Sequence, residues 1–328
     1  MGLRTYVKSF FSFSIGTWIG ALISFFTTPI VSYLIIPEEF GRASMFTLVY
    51  SILLTTCVLG LDQSFVRFYY EMPQEKRKSL FWESVSLPLV NSILASIILV
   101  IFQDNLSRWL FQSSYPNVGL LLSVSLLTGI LQAFNQLSIR MQKKGLMFSS
   151  IQIISSVSNV SFTIIYAKFI SANFYAVIFG QICGNIVALF VGSVYDKASR
   201  SLSSVSYQNI KKYIRYGIPF LPTFLISWLF NSIDRISLRQ YSTFTEIGLY
   251  SAAFKLVSAM NLIQTGFTTF WSPLVYERYS NKPEDKEFYR KAFLGISLAM
   301  YLLGLTLIGL KDIIFLLFSK SYRDAAYI

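Results

Sequence analysis

Nine long stretches without charged residues dominate this sequence of 328 residues. Each contains at least 18 uncharged residues, and only the eighth stretch is interrupted, by Lys255. An α-helix needs about 20 apolar residues to cross the hydrocarbon core of a bilayer. The stretches lie between Lys8 and Glu38, Arg42 and Asp62, Glu83 and Asp104, Arg108 and Arg140, Lys144 and Lys168, Lys168 and Asp196, Arg215 and Asp234, Glu246 and Glu277, and Lys291 and Lys311. The pattern predicts an all-α, polytopic membrane protein with about nine transmembrane helices.

The composition excludes several classes of protein. Hydrophobic residues make up 54% of the chain and charged residues 13%, whereas a soluble domain carries about 25% charged residues. The chain has no histidine, which excludes histidine-based catalytic triads and histidine-ligated zinc. The net charge of +12 does not indicate nucleic-acid binding, because the cations lie in short segments without interleaved stacking aromatics. No metal site or cofactor is expected.

The distribution of lysine and arginine predicts the orientation in the membrane. If the N-terminus is cytoplasmic and the helices alternate, 19 of these residues fall in inside segments and eight in outside segments. Cytoplasmic loops carry an excess of lysine and arginine. We therefore expect a cytoplasmic N-terminus and a first helix that is retained in the mature protein.

A weak internal repeat divides the chain. Glu39, Gly41 and Ser44, after the first helix, recur as Glu246, Gly248 and Ser251, after the seventh, each 207 residues later. Six helices separate the equivalents, so the repeat is parallel, although such turns can also recur by chance. The predicted units are an N-terminal six-helix lobe, residues 1–195, a cytoplasmic linker, residues 196–215, and the first part of a second lobe, residues 216–328. The end of the linker is predicted to be amphipathic, over residues 205–216. A complete second lobe would need three further helices beyond Ile328.

Four segments together resemble a known family. They are residues 35–41 (IIPEEFG), 216–222 (YGIPFLP), 231–235 (NSIDR) and 248–256 (GLYSAAFKL). The set resembles the polysaccharide flippases, the O-antigen and exopolysaccharide exporters of the multidrug/oligosaccharidyl-lipid/polysaccharide (MOP) superfamily. The resemblance implies a MATE-like two-lobe transporter fold in the bacterial inner membrane. It implies flipping of an undecaprenyl-diphosphate-linked oligosaccharide to the outer leaflet by alternating access, for cell-surface polysaccharide biosynthesis. Implied partners are this lipid-linked oligosaccharide, membrane lipids, a polysaccharide polymerase and glycosyltransferases, with Na⁺ or H⁺ as a possible coupling ion.

Lys255 is the strongest candidate for a substrate-binding residue. It lies about 12 Å inside the eighth helix at about 1.5 Å per residue, where a lysine costs about 2.5–3.5 kcal/mol unless it faces water or a partner. Four polar residues fall on the same helical face: Ser258, Asn261, Thr265 and Thr269. We expect a cavity face there. The alternative is that Lys255 extends to the interface and the hydroxyl groups bond to their own backbone.

Other candidates lie in the first, second and seventh helices. Arg235 and Arg239 share one face of the seventh helix, which suits an anion or a carboxylate, and Asn231 and Asp234 belong to the same segment. The first helix carries the adjacent Thr27 and Thr28 before Pro29, where a kink would free backbone carbonyls. At the cytoplasmic end of the second helix, Asp62 and Arg67 are interface anchors or a gate salt bridge.

Three other functions remain open. An ion-coupled multidrug exporter of the same superfamily would favour buried carboxylates, whereas the deepest charge here is Lys255. A membrane-embedded glycan-processing enzyme would need a large loop with clustered acidic residues. A channel or scaffold would not need two halves.

Overall fold

The computed structural model of the chain describes residues 3–196, 206–255 and 286–327. These residues form helices and short connections, with no β-strand among them. The helices are α1 (Leu3–Ser32), α2 (Pro37–Val58), α3 (Leu61–Tyr69), α4 (Arg77–Ile101), α5 (Gln103–Phe111), α6 (Val118–Met141), α7 (Gly145–Phe169), α8 (Phe174–Tyr195), α9 (Tyr207–Gly217), α10 (Leu221–Tyr241), α11 (residues 244–255) and α12 (Lys286–Leu316). Short 3₁₀ turns occupy Gln74–Lys76, Ile218–Phe220 and Lys320–Tyr327. The predicted all-α class is confirmed.

Seven helical segments of the described chain are long and apolar enough to cross a membrane. They are α2, α4, α6, α7, α8, the combined run of α9 and α10, and α12. The apolar part of α1, Trp18–Ser32, is shorter, and α11 is described only as far as Lys255. The chain is a multi-pass membrane protein, and the count of nine helices stays a prediction.

The six long helices of residues 3–195 pack into one bundle. One apolar cluster joins α2, α5, α6 and α8 around Phe46, Phe111 and Phe174, which are 0–1% exposed. A second cluster joins α3, α4 and α6 around Phe65 and Phe81, which are equally buried. Apolar side chains on the outside of the bundle, such as Ile98 of α4, remain exposed, as expected of surfaces that face lipid.

We name the two ends of the bundle after the predicted orientation. The outer end contains the connections at residues 33–36, 112–117, 170–173 and 242–243, and the inner end contains those at 59–60, 70–76 and 142–144. Helix α2 begins at the outer end with Pro37 in its first turn, followed by Glu38 and Glu39. Proline suits this position because its missing N–H is not needed there, and carboxylates stabilise the positive end of the helix dipole.

Helix α9 lies in the part of the linker where the sequence predicts an amphipathic segment, residues 205–216. Its Tyr213 and Gly217 are buried against α3 and α4, whereas Lys211, Lys212 and Arg215 are exposed. A 3₁₀ turn then leads into α10. The amphipathic helix therefore joins the first bundle to the first helix of the second half.

Candidate functional site

Two adjoining cavities lie where α11 meets the first bundle. The seam cavity, about 120 Å³, is lined by Phe40, Ala43, Ser44, Thr47, Val177, Arg235, Ser251, Phe254 and Lys255. The bundle cavity, about 270 Å³, is lined by Gly20, Ile23, Ser24, Thr27, Thr28, Val31, Phe40, Thr47, Ser156, Asn159, Val160, Thr163, Val177, Gln181 and Lys255. The two cavities share four of these side chains, so they lie next to each other.

Lys255 is common to both cavities. Its ammonium nitrogen lies 4.7 Å from the centre of the Phe40 ring, in cation–π range, and its side chain keeps exposed surface between the helices. The predicted partners Ser258, Asn261, Thr265 and Thr269 lie outside the described residues. The structure thus places Lys255 at the junction of the cavities, and the polar stripe below it stays a prediction.

Thr27 and Thr28 of α1 line the bundle cavity together with Lys255. Each threonine donates its hydroxyl proton to a carbonyl one turn earlier in α1, Thr27 to Ile23 and Thr28 to Ser24. The hydroxyl oxygens keep lone pairs that can accept hydrogen bonds from a ligand. Residues from the first and the eighth predicted helices therefore meet at one site, 228 and 227 positions apart in the sequence.

Arg235 lines the seam cavity, whereas its neighbours in α10 do not. The Arg235 guanidinium donates to the carbonyl of Asn231 at 3.1 Å. Asp234 accepts a hydrogen bond from the Tyr250 hydroxyl at 2.7 Å, which joins α10 to α11. The Asn231 side chain is exposed and donates to the carbonyl of Ser227. Of this segment, only Arg235 is placed to meet a ligand in the seam cavity.

Arg239 anchors α10 at the outer end rather than lining a cavity. Its guanidinium donates to the carbonyls of Leu110 at 3.0 Å and Trp109 at 2.9 Å, at the C-terminal end of α5. It also lies 5.2 Å from the centre of the Phe244 ring. Unpaired carbonyls at a helix C-terminus attract a cation. Because of these contacts, Arg239 does not lie with Arg235 at a common anion site, as their spacing of four residues predicts.

Asp62 and Arg67, predicted to be either interface anchors or a gate salt bridge, do not pair with each other in this structure. Arg67 pairs with Glu71 at 2.6 Å, and Asp62 accepts a hydrogen bond from the Gln63 side chain at 2.7 Å. Residues five apart on a helix point in different directions, whereas residues four apart are neighbours. The gate role of these two residues stays a prediction.

Other residues connect the first bundle to the linker at the inner end. Glu83 of α4 is 2% exposed, and its carboxylate accepts hydrogen bonds from the Ser206 backbone N–H, the Asn209 amide and the Tyr213 hydroxyl. Ser64 donates to the Tyr213 carbonyl at 2.7 Å. We call these contacts the inner clasp. The sequence identifies Glu83 only as the edge of an apolar stretch, because its partners lie more than 120 positions away.

At the outer end the repeated residues contact each other, and we call this contact the outer seam. Ser251 donates a hydrogen bond to Ser44 at 2.8 Å. A Cβ added to Gly41 would lie 3.0 Å from the backbone nitrogen of Gly248, and one added to Gly248 would lie 3.1 Å from that of Gly41. The nearest atoms are the Phe244 carbonyl oxygen for Gly41 and the Pro37 carbonyl oxygen for Gly248. Pro37 and Phe244 are also 207 residues apart, as expected of two copies related by a twofold axis. These contacts support the predicted parallel repeat.

The last described turn closes over the outer seam. Tyr322 donates its hydroxyl proton to the Ile35 carbonyl at 2.8 Å, and the Ser319 backbone N–H donates to the Ser32 hydroxyl at 3.0 Å. Burial raises the pKa of Tyr322, so the phenol stays protonated and keeps donating. These contacts hold the last described turn against the outer ends of α1 and α2.

Comparison with known proteins assigns the chain to a family. Residues 6–277 match the sequence profile of the family described as "Polysaccharide biosynthesis protein". The chain belongs to this family. A curated relative, "Lsg locus putative protein 1" from Haemophilus influenzae (strain ATCC 51907 / DSM 11121 / KW20 / Rd), is 24% identical over 283 residues, which are 82% of this chain. The chain spans about 65% of the length of that relative.

Solved structures of MATE transporters share the fold of this family member. An inward-facing multidrug resistance MATE transporter of the MOP superfamily superposes with a TM-score of 0.66 at 15% identity, over 95% of this chain and 74% of its own. A ligand complex of the MATE multidrug transporter DinF-BH gives 0.60 at 17% identity, over 95% of this chain and 74% of its own. The predicted MATE-like fold is confirmed.

Proposed function

We propose that this member of the polysaccharide biosynthesis family flips an undecaprenyl-diphosphate-linked oligosaccharide from the cytoplasmic to the outer leaflet of the bacterial inner membrane. The N-terminus is cytoplasmic in this proposal, and the glycan serves cell-surface polysaccharide assembly by a polymerase and glycosyltransferases. The observation that carries the proposal is the charge of the cavities. The charged residues among their described lining are Lys255 and Arg235, both cations.

A diphosphate needs such a site to cross the membrane. Moving its charge through a low-dielectric slab is costly unless cations and hydrogen-bond donors replace its water. Arg235 offers a planar fork of donors and Lys255 a point charge, and both residue types bind phosphate. The polyprenyl tail needs no such site, since it can stay in the lipid beside the helices.

The contacts at the outer seam support an alternating-access mechanism. Ser251 bonds to Ser44 and Tyr322 to Ile35, so the described outer ends of the two parts are held together. In the proposed cycle the substrate binds from the cytoplasmic side, the outer seam opens, and the substrate leaves to the outer leaflet. A gradient of Na⁺ or H⁺ can bias this equilibrium.

A multidrug exporter of the same superfamily is the second candidate, favoured by the MATE fold of the solved structures. A cationic drug would require an opposite charge at its site. No carboxylate is present among the described residues that line either cavity. The charge of the lining therefore favours an anionic substrate.

Replacing Lys255 tests the proposal. In proteoliposomes, Lys255→Gln should slow the flipping of a fluorescent undecaprenyl-diphosphate oligosaccharide by about tenfold or more, because a hydrogen bond to a charged group contributes about 1.5–3 kcal/mol. Lys255→Arg should retain most of the rate, because it keeps the positive charge.

Lys212→Gln is the matched control, since the Lys212 ammonium also lies over a phenylalanine ring, 4.2 Å from the centre of Phe68, but outside both cavities. Equal rates for Lys255→Gln and the wild type would refute the site. Efflux of a cationic dye without lipid flipping would support the drug exporter instead.

A further inference from the structure

The bundle cavity differs in chemistry from the seam cavity. It lies between α1, α2, α7 and α8, and Lys255 is the charged residue among its described lining. The rest of its polar lining is neutral and consists of hydroxyl and amide groups, with Ser156, Asn159 and Thr163 on α7 and Gln181 on α8. Away from Lys255, the cavity therefore suits a part of the ligand that is polar but carries no charge.

Its threonines present acceptors in a fixed geometry. Thr28, Thr47 and Thr163 donate their protons to carbonyls of their own helices at 2.8–2.9 Å. With the donors used in this way, the oxygen lone pairs can accept hydrogen bonds from the cavity. Hydroxyl groups of a ligand are the complementary donors, and the Asn159 amide adds donors and an acceptor.

The helices place these groups on one side of the cavity. At 100° per residue, Ser156, Asn159 and Thr163 fall within about 60° of one another on α7. Helix α8 approaches this face closely, because a Cβ added to Gly184 would lie 3.0 Å from the Asn159 side chain. A larger residue at Gly184 would separate the two helices, so the small residue helps to set the width of the cavity.

The volume of the cavity is that of a small ligand. At about 270 Å³ it is slightly smaller than the range of about 300–1,000 Å³ that is typical of pockets for drug-sized molecules. One monosaccharide is a better fit than an oligosaccharide.

We propose that the bundle cavity binds a single uncharged sugar unit, the one joined to the diphosphate, while Lys255 holds the phosphate at the junction with the seam cavity. The inference rests on the proposed function and adds a specificity site to it. Sugar hydroxyls would donate to Thr27, Thr28, Thr47 and Thr163 and accept from Asn159. A charged sugar such as a uronic acid would be a poor ligand at the far end of the cavity, where the described lining is neutral.

Two ligands test this inference with the full chain in detergent. One is undecaprenyl diphosphate and the other is undecaprenyl-diphosphate-hexose, and the dissociation constant of each is measured by scintillation proximity. The triple variant Thr27→Val, Thr28→Val, Thr163→Val keeps the side-chain shape and removes three acceptors. It should weaken binding of the hexose-bearing lipid at least tenfold and leave binding of bare undecaprenyl diphosphate within about twofold.

Thr306→Val is the matched control, because the Thr306 hydroxyl also bonds to its own helix, at the Leu302 carbonyl, on the exposed α12. If the triple variant does not fold, Ser156→Leu fills the same cavity and should produce the same selective loss. Equal weakening of both lipids, or no weakening of either, would overturn the sugar site. Wild-type protein that binds both lipids, and loses both in Lys255→Gln, would still support the proposed flippase; wild-type protein that binds neither would refute both proposals.

Discussion

The outer seam joins the first bundle to α11, and the inner clasp joins it to the linker helix α9. Glycine backbones meet at both ends, with Gly60 against Gly217 at the inner end, but only the inner clasp adds a buried carboxylate. The outer seam brings two backbones together at Gly41 and Gly248 and adds one hydrogen bond between serines. The inner clasp surrounds the buried Glu83 carboxylate with three donors from residues 206–213. Separating two small residues costs little free energy. Removing the hydrogen-bond donors from a buried carboxylate costs much more, because the charge is then left unsatisfied.

From this difference we infer which contacts break during the proposed cycle. The inner clasp should hold α9 on the first bundle throughout, and the outer seam should open and close. In this cycle the hinge between the fixed α9 and the moving α10 is the 3₁₀ turn Ile218–Phe220, which lies between Gly217 and Pro222. Glycine and proline on either side of a short turn are compatible with a hinge.

The largest effect is expected from breaking the inner clasp. Glu83→Ala removes the acceptor of three hydrogen bonds and leaves the buried Tyr213 hydroxyl unsatisfied, which costs about 1–3 kcal/mol for that group alone. We expect a loss of about 3 kcal/mol or more in the free energy of unfolding, measured by denaturant unfolding in detergent. Glu75→Ala, at an exposed position in the nearby 3₁₀ turn, should change stability little. An unchanged midpoint for Glu83→Ala would show that the clasp does not hold α9.

A smaller effect is expected from adding a methyl group to the outer seam. Gly41→Ala forces the two backbones apart, and overpacking of this kind costs about 1–3 kcal/mol. The variant should favour the open seam, so a cysteine at Ser251 should react faster with a membrane-impermeant thiol reagent. Gly309→Ala on α12 is the control, since an added Cβ there meets nothing within 4 Å. Equal labelling rates in the two backgrounds would contradict the close contact.

The smallest effect is expected from removing the hydrogen bond of the outer seam. Ser251→Ala loses the donor to Ser44 and should cost about 0.5–1.5 kcal/mol, the net contribution of a neutral hydrogen bond. Thermal unfolding in detergent measures the change. Ser150→Ala removes an exposed hydroxyl that bonds only within α7, to Leu146 at 2.9 Å, and serves as the reference. A larger loss for Ser150→Ala than for Ser251→Ala would contradict the seam.

Features that depend on local spacing could be predicted from the sequence. Charge-free stretches indicate α2, α4, α6, α7 and α8, and the amphipathic pattern at 205–216 indicates α9. The offset of 207 residues pairs Ser44 with Ser251, which are in contact. These features follow from helix length and periodicity, which are visible in one chain.

Features that depend on distant partners could not be predicted. Arg239 is anchored by α5 carbonyls about 130 positions away, and Glu83 is buried because the linker supplies its donors. The ion pair between Arg67 and Glu71 could have been predicted from the sequence, since residues four apart on a helix are neighbours and Asp62 is five residues from Arg67. The polar face of α7 was visible too, because Ser156, Asn159 and Thr163 recur at helical spacing, although the cavity that they line was not.

A cross-link across the outer seam tests alternating access most directly. Ser44→Cys and Ser251→Cys are introduced together after replacing Cys57 and Cys183, the two native cysteines, with alanine. The two serine oxygens are 2.8 Å apart, so a disulfide can form after small adjustments. Flipping of the lipid-linked oligosaccharide is measured in proteoliposomes under oxidising and then reducing conditions, with each single cysteine variant as the control. The account predicts that oxidation stops flipping and that reduction restores it, whereas full activity of the cross-linked protein would contradict it.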